Sequence, residues 1–246
     1  MIANEARTNT IDTRERGATK EGQPQFSDQR LFMQLLAFDC AKGIDSRKLG
    51  ADLCGSLQAH RVPAVVYEDV NNPRGFAVLS FTEHPALFTG ALRNALNEPR
   101  LEELTLRPSL TMIGRTYSTG FEADLEYWLL RRPRETILND AWNWAIWYPL
   151  RRKGPFERLE QREKGGIMRE HGGIGRAYAE SNLAHDVRLA CHGLDENDND
   201  FVIGLLGEDL FPLSHVVHAM RSTRQTAEYM DHMGPFFVGR AIFRNH

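Results

Sequence analysis

One histidine in this sequence combines reactive chemistry with an inward-facing position. His171 lies in a predicted helix with Ile167, Ile174 and Tyr178 at positions i−4, i+3 and i+7, and helical geometry puts all four on one stripe. A single imidazole on such a stripe suits the axial ligation of an iron macrocycle such as haem. A core histidine hydrogen-bonded to the backbone explains the same spacing, since buried polar side chains are usually paired.

A tyrosine followed by cations lies upstream of this histidine. Tyr148 ends an aromatic run typical of a strand, and Pro149, Arg151, Arg152 and Lys153 follow it. Arginine binds carboxylates with two parallel hydrogen bonds, so the block suits a ligand that carries carboxylates. Each part also has an ordinary explanation. A tyrosine at a strand end is usually an amphipathic packing residue, and a run of cations is usually solvated.

The composition indicates a soluble protein with a substantial core. The 246 residues carry a net charge of −3, with 41% hydrophobic and 26% charged residues. The slightly negative net charge does not suggest binding to nucleic acid, which requires a basic surface. No apolar run reaches the roughly 20 residues that a membrane-spanning helix needs. The N-terminal residues include no hydrophobic signal segment, so export is not expected. Its three cysteines, an odd number without close pairing, predict reduced thiols in a cytoplasmic protein.

The elements that must position these residues form two similar series. Residues 1–27 are polar without an apolar period and are predicted to be a disordered tail. A first half is predicted at 28–121, a linker at 122–140 and a second half at 141–246. The linker is predicted to hold a short helix that breaks at Arg131-Arg132-Pro133-Arg134.

Apolar periodicity predicts the same order of elements in each half. The first half has predicted strands at 31–38, 62–67, 76–81 and 110–117 and helices at 46–60 and 85–97. The second half has predicted strands at 142–148, 187–192, 201–206 and 236–243 and helices at 159–180 and 212–233. Two β-α-β-β-α-β halves predict an α+β fold of two ferredoxin-like units, whose sheets face each other or close into one barrel.

Five motifs, in order along the chain, resemble one known family. They are Tyr148-Pro149, His171-Gly172-x-x-Gly175-Arg176-x-Tyr178, Gly193-Leu194-Asp195, Met220-Arg221 and the Gly-Pro-Phe-Phe-Val-Gly run at 234–239. Together they resemble the chlorite dismutase-like superfamily and, within it, most closely the coproheme decarboxylases. The resemblance is specific over the second half and architectural before it.

This resemblance implies a dimeric α+β barrel that binds haem b or iron-coproporphyrin III in its second half. It implies a ring-shaped homo-oligomer, typically a pentamer. His171 would be the axial ligand to iron, and Tyr148 a radical carrier that removes a hydrogen atom from a propionate, after which carbon dioxide leaves and a vinyl group remains. Hydrogen peroxide would supply the oxidising equivalents for this conversion of coproheme to haem b.

The resemblance also implies contacts with the porphyrin. It matches Arg152 to a family lysine four residues after the tyrosine, Arg221 to a carboxylate-binding arginine, and Thr226 to a hydroxyl five residues further on. Arginine can pair with a carboxylate but is a poor proton source, so the neighbouring Lys153 is an alternative for that role. Ile174 is expected to contact the ring.

Three residues compete for the distal position, across the iron from the histidine. Chlorite dismutases carry an arginine seven residues before the Gly-Leu-Asp motif, and that count gives Asp186, whereas a count from His171 gives Ala184. Asp186 is expected to accept a proton from peroxide. Arg188 shares its strand face and either swings over the iron or, as the sequence favours, pairs with Asp186.

Two other functions remain open. The chain is alternatively a divergent haem peroxidase of the same superfamily that acts on another substrate, as the arginine in place of lysine and the altered distal register suggest. A non-catalytic haem-binding protein is the third interpretation, and it would keep His171 without using Tyr148.

Overall fold

Twelve strands make up the sheet structure of the described chain. The computed structural model describes residues 11–246. The strands are β1 Glu15–Lys20, β2 Gln23–Ser27, β3 Phe32–Cys40, β4 Ala64–Asp69, β5 Gly75–Thr82, β6 Leu104–Leu106, β7 Met112–Arg115, β8 Trp144–Arg152, β9 His185–Ala190, β10 Phe201–Gly207, β11 Met230–Met233 and β12 Phe237–Asn245. The helices are α1 Ser46–Ala59, α2 Ala86–Thr89, α3 Ala91–Leu96, α4 Arg132–Leu138, α5 Gln161–Glu180, α6 Leu210–Met220 and α7 Arg224–Tyr229.

Eight of these strands close into one barrel. Their order is β10-β9-β7-β3-β5-β4-β12-β8, and β10 pairs back with β8, all antiparallel. The two halves join where β12 pairs with β4 through six residue pairs and where β7 meets β9 at Arg115 and Ala190. Of the two arrangements that the sequence allowed, the chain adopts the single barrel. The predicted α+β fold of two ferredoxin-like halves is confirmed.

Hydrophobic side chains fill three spaces around this barrel. Large residues such as Trp147, Tyr67 and Phe237 fill its interior. Helices α1, α2 and α3 cover the outer face of the first half, where Asp45 caps α1 and Leu53 and Leu57 are fully buried. Helices α5 and α6 cover the outer face of the second half. We call the apolar side chains between them and the sheet the site layer: Ile146, Tyr148, Leu150, Ala184, Ala190, Phe201, Leu205, Leu213 and Val216.

The segment predicted to be a disordered tail is partly ordered. Residues 1–10 lie outside the described residues, but β1 and β2 form a hairpin. The hairpin is held to the linker, where Ala18 donates its backbone N–H to the Glu122 carbonyl and the Gln25 side chain accepts from Leu125. These partners lie far away in sequence, so no local pattern could reveal them.

Two predicted helices also differ from the structure. The linker helix does not break at its arginines, because a π-helical turn at Tyr127–Arg131 continues into α4. Pro133, which lacks a backbone N–H, closely follows the π-helical turn, where the regular i→i+4 hydrogen-bond pattern has already changed. The predicted helix at 212–233 ends at Met220, after which Thr223 caps α7 and β11 pairs with β8.

Cys40, Cys54 and Cys191 are free thiols, as predicted. Within residues 11–246, no helix has both the length and the apolar character needed to cross a membrane.

Candidate functional site

Strand β8 carries the candidate site on its outer face. Side chains alternate along a strand, so Tyr148 and Arg152 share the face of the site layer, whereas Trp147 points into the barrel. Arg151 lies between them in sequence and pairs instead with Asp198 at 2.5 Å. The predicted cation block therefore does not act as one unit, because Arg152 lies on the face of Tyr148 and Arg151 does not.

Helix α5 presents His171 from the opposite side. Ile167 is buried, and Ile174 and Tyr178 are partly buried against the site layer, so the predicted apolar stripe is confirmed. His171 lies on this stripe and is itself partly buried. Strand β8 and helix α5 thus bring Tyr148 and His171 to the same layer of the molecule.

The imidazole of His171 is oriented by a threonine. Thr223 Oγ1 lies 3.3 Å from His171 Nδ1 and 2.8 Å from the carbonyl oxygen of Met220. A carbonyl only accepts, so the threonine hydroxyl donates to Met220 and accepts the N–H of His171 Nδ1. This assignment leaves a lone pair on Nε2. It is the tautomer in which histidine binds a metal ion through Nε2 while its other nitrogen is held by an acceptor.

The charge state of His171 agrees with that role. Burial, followed by the positive charges of Arg152 and Arg188, lowers the pKa of His171 to about 4. The imidazole is therefore neutral at neutral pH. A neutral ring nitrogen is a metal ligand, whereas a protonated one is not.

The tyrosine of the site is buried and stacked. Tyr148 is 7% exposed, and its ring stacks on Phe236 with centroids 4.6 Å apart. Burial and, secondarily, the negative charge of Asp186 raise the pKa of Tyr148, although the positive charge of Arg221 opposes them. The phenol therefore keeps its proton at neutral pH, as it must if electron and proton are to leave together.

Arg152 has an unusual environment for a cation. Its guanidinium carbon lies 4.6 Å from the ring centroid of Phe156 and 4.5 Å from that of Phe201. Its nearest carboxylate, that of Glu157, is 3.9 Å away, and its Nε is buried without a hydrogen-bond partner in the described chain. Buried polar atoms are normally paired. An anion beside Nε would satisfy this group.

Strand β9, which is separated from β8 by β10, carries a network of ion pairs. Asp186 accepts from Arg132 at 2.6 Å and pairs with Arg188 at 2.9 Å, so each carboxylate oxygen has its own cation. Burial alone would raise the pKa of Asp186, but the charges of Arg188 and Arg132 outweigh it and lower that pKa. The Asp186–Arg188 pair that the sequence favoured is present. A carboxylate held this way is a weak base, which argues against the expected proton-accepting role of Asp186.

The other candidate residues differ in how close they lie to these groups. Ala184, the alternative distal position, is buried in the site layer. Thr226 does not contact His171 directly. Its Oγ1 lies 3.3 Å from Oγ1 of Thr223, the residue that contacts the histidine. Arg221 is exposed near Tyr148. Lys153 is also exposed, and its ammonium donates to the Glu228 carbonyl.

Sequence reasoning missed three residues of this region. Thr223 has a detectable local signal, since a threonine just before a helix is a typical N-cap. Arg132, from the linker, and Tyr117, whose ring lies 5.5 Å from that of Phe201, had no signal that linked them to the site.

Comparison with known families defines the class of this protein. The sequence model of the chlorite dismutase family matches residues 89–242, more than half of the chain. The chain therefore belongs to the chlorite dismutase family.

Solved structures agree with this assignment at the level of the fold. A haem-binding protein from Thermus thermophilus has a TM-score of 0.71 and 18% identity, covering 87% of this chain and 92% of that one. A mutant chlorite dismutase from Candidatus Nitrospira defluvii in complex with cyanide has a TM-score of 0.68 and 14% identity, covering 88% and 92%. The chlorite dismutase of that organism in complex with imidazole has a TM-score of 0.69 and 13% identity, covering 88% and 93%.

Proposed function

We propose that this protein binds an iron porphyrin against the site layer, and that Nε2 of His171 would hold its iron. The observation that carries the proposal is the contact between His171 Nδ1 and Thr223 Oγ1, because it leaves the Nε2 lone pair free on a neutral imidazole. Membership of the chlorite dismutase family and the fold shared with a haem-binding protein support the same ligand.

The surrounding cations fit the carboxylates of such a porphyrin. The buried Nε of Arg152 lacks a partner within residues 11–246 and can donate to a propionate, with the guanidinium held between two aromatic rings. Arg221 and Thr226 are further donors at the edge of the site, and Ile174 is an apolar contact from the helix. The exposed Lys153 is the weaker candidate of the cation block, since its ammonium already donates to a backbone carbonyl.

The reaction that we propose is the peroxide-dependent decarboxylation of iron-coproporphyrin III to haem b. The bound iron porphyrin supplies oxidising equivalents when peroxide is present. Tyr148 keeps its phenolic hydrogen in the ground state, loses an electron and a proton together, and then takes a hydrogen atom from a substrate propionate. Loss of carbon dioxide and of a further electron would convert that propionate to a vinyl group. The two electrons, the abstracted proton and one proton from solvent would reduce one hydrogen peroxide to two waters. Arg152 would hold the carboxylate in position.

A second function, that of a divergent peroxidase, is favoured by one observation. The Arg188 side chain is 40% exposed on the same sheet face as Tyr148 and is anchored by Asp186. A cation in this position suits an anionic or peroxidic substrate other than coproheme. Haem binding without catalysis is the remaining alternative, and it makes no use of Tyr148.

The test is to load the purified apoprotein with iron-coproporphyrin III, titrate hydrogen peroxide and follow the porphyrin by mass spectrometry. We expect two successive losses of carbon dioxide in the wild type and none in Tyr148→Phe, with porphyrin affinity nearly unchanged. Tyr127→Phe, which alters a tyrosine of the linker, is the matched control. Porphyrin that bleaches without decarboxylation would support the peroxidase alternative, and absence of binding would refute the role of His171.

A further inference from the structure

A second tyrosine of the candidate region is paired with a histidine. The hydroxyl of Tyr178, on α5, is in hydrogen-bonding contact with Nδ1 of His215, on α6. The two rings are tilted by 35° with centroids 5.9 Å apart. In the tautomer of His215 that leaves Nδ1 unprotonated, the phenol donates and the imidazole accepts, and this is the form in which the pair can transfer a proton.

This pair connects the site layer with the protein surface. Tyr178 packs partly buried against the site layer, whereas His215 is exposed. Tyr178 lies seven residues after His171 on the same stripe, about 10 Å along the helix axis, with Ile174 between them. A phenol whose hydroxyl already faces a base can lose an electron and a proton together without releasing the proton to water.

We propose that Tyr178 and His215 form a surface oxidation site for small aromatic one-electron donors such as phenols. The inference rests on the proposed function, because a peroxide-oxidised porphyrin is the electron acceptor. Tyr178 gives one electron to that centre and its phenolic proton to His215 Nδ1, leaving a neutral tyrosyl radical beside an imidazolium. An external phenol then supplies one electron, His215 returns the proton to Tyr178, and the phenol releases its own proton to solvent as it becomes a phenoxyl radical.

The surroundings of His215 fit an aromatic donor. Phe211 is 76% exposed, and its ring lies 5.7 Å from that of His215. His218 lies one turn further along α6, with its ring 6.4 Å from that of His215. A phenol that stacks on Phe211 would therefore lie beside the proton-accepting side of the pair. Exposed aromatic faces of this kind stack on ring-shaped ligands.

The same contact would also exist if Tyr178 and His215 only clamped α5 to α6, so the experiment must report on oxidation. Apoprotein is mixed with hexachloroiridate(IV), a one-electron oxidant, in a stopped-flow instrument. We expect the fastest phase of oxidant consumption to be absent in Tyr178→Phe, about tenfold slower in His215→Phe, and unchanged in Tyr127→Phe. Equal rates in all four proteins would overturn the pairing as an oxidation site.

The second arm uses the loaded protein. Tyr148→Phe protein that carries haem b, in which residue 148 cannot form a tyrosyl radical, is the background for this arm. It is mixed with hydrogen peroxide, frozen and examined by electron paramagnetic resonance, and oxidation of guaiacol is measured in parallel. The tyrosyl signal and guaiacol oxidation should each fall about tenfold or more when Tyr178→Phe is added to this background but not when Tyr127→Phe is added.

The two arms separate this inference from the proposed function. If the wild type decarboxylates iron-coproporphyrin while the tyrosyl signal and guaiacol oxidation persist when Tyr178→Phe is added to the Tyr148→Phe background, the surface site is refuted and the proposed function stands. If the protein binds no porphyrin, both the proposed function and the surface site fail, whatever the apoprotein shows.

Discussion

Tyr148 and Arg188 lie on the same face of the barrel, each paired in register with Ile203 of the strand between them. Two strand spacings separate their backbones, about 10 Å. Phe236 stacks on the tyrosine and Asp186 holds the arginine. An oxidisable phenol and an anchored cation therefore flank one apolar strip of sheet, and helix α5, which carries His171, packs against this face.

Removing the imidazole of His171 should abolish porphyrin ligation. In His171→Ala, the absorption band of added haem b should stay that of the unligated porphyrin, because the other predicted contacts are to carboxylates. His218→Ala, which removes an exposed histidine of α6, is the control and should titrate like the wild type. Normal ligation in His171→Ala would show that another residue binds the iron.

The threonine that holds His171 offers a sharper test. Thr223→Val removes the acceptor for His171 Nδ1, and outer contacts of this kind typically change metal affinity about 10–100-fold. The variant also loses the cap of α7, which costs about 1 kcal/mol of stability. Thr223→Ser keeps the hydroxyl and should restore both properties. Equal haem affinity in the valine and serine variants would contradict the assigned role.

The contact between His171 and Thr223 also shows where the sequence stopped being informative. The apolar stripe of α5 was readable, because helical periodicity is local. The acceptor lies 52 residues away, and its proximity depends on where α6 ends. The sequence predicted one continuous helix over 212–233, and that error concealed the cap at Thr223.

The barrel was predictable for a similar reason. Each half has strands and helices in the same order, and this order can be read from local apolar periodicity. Two such halves can join their sheets into one barrel, which was one of the two arrangements that the sequence predicted. The hairpin of β1 and β2 was not predictable, because its polar sequence is ordered by hydrogen bonds to Glu122 and Leu125. Roles for Tyr148 and Arg152 came from resemblance, since spacing alone fits ordinary surface or packing residues.

Asp186 should make stability depend on pH. Its pKa in the folded protein lies below the ordinary value, so its ion pairs stabilise the fold above about pH 4, and this contribution is lost as pH falls through the lowered pKa. Asp186→Asn should lower the free energy of unfolding by about 1–2 kcal/mol at neutral pH. The difference from the wild type, measured by denaturant unfolding, should shrink in acid.

A matched surface pair provides the control for that measurement. Asp198 is paired with Arg151 but is mostly exposed, so Asp198→Asn should change stability by less than about 1 kcal/mol. A stability difference for Asp186→Asn that stays constant into acid would mean that the carboxylate charge is not what stabilises the fold.

Two glycines should respond oppositely to alanine. A Cβ on Gly204 would lie 2.5 Å from ring atoms of Trp147 inside the barrel, so Gly204→Ala should destabilise the protein by about 1–3 kcal/mol. A Cβ on Gly166, in α5, would meet nothing within 4 Å, and Gly166→Ala should stabilise the helix by about 0.5–1 kcal/mol. Thermal unfolding of both variants checks the prediction, and stabilisation by Gly204→Ala would refute this packing.

The pairing of β12 has a consequence for how the protein is made. This strand, Phe237–Asn245, lies between β4 of the first half and β8 of the second. During synthesis, β4 has only β5 as a neighbour until the ribosome has released β12. In the nascent first half, one edge of β4 therefore stays unpaired. Unpaired strand edges of this kind promote aggregation of newly synthesised chains. The edge of β4 is covered only when the nine residues of β12 pair with it.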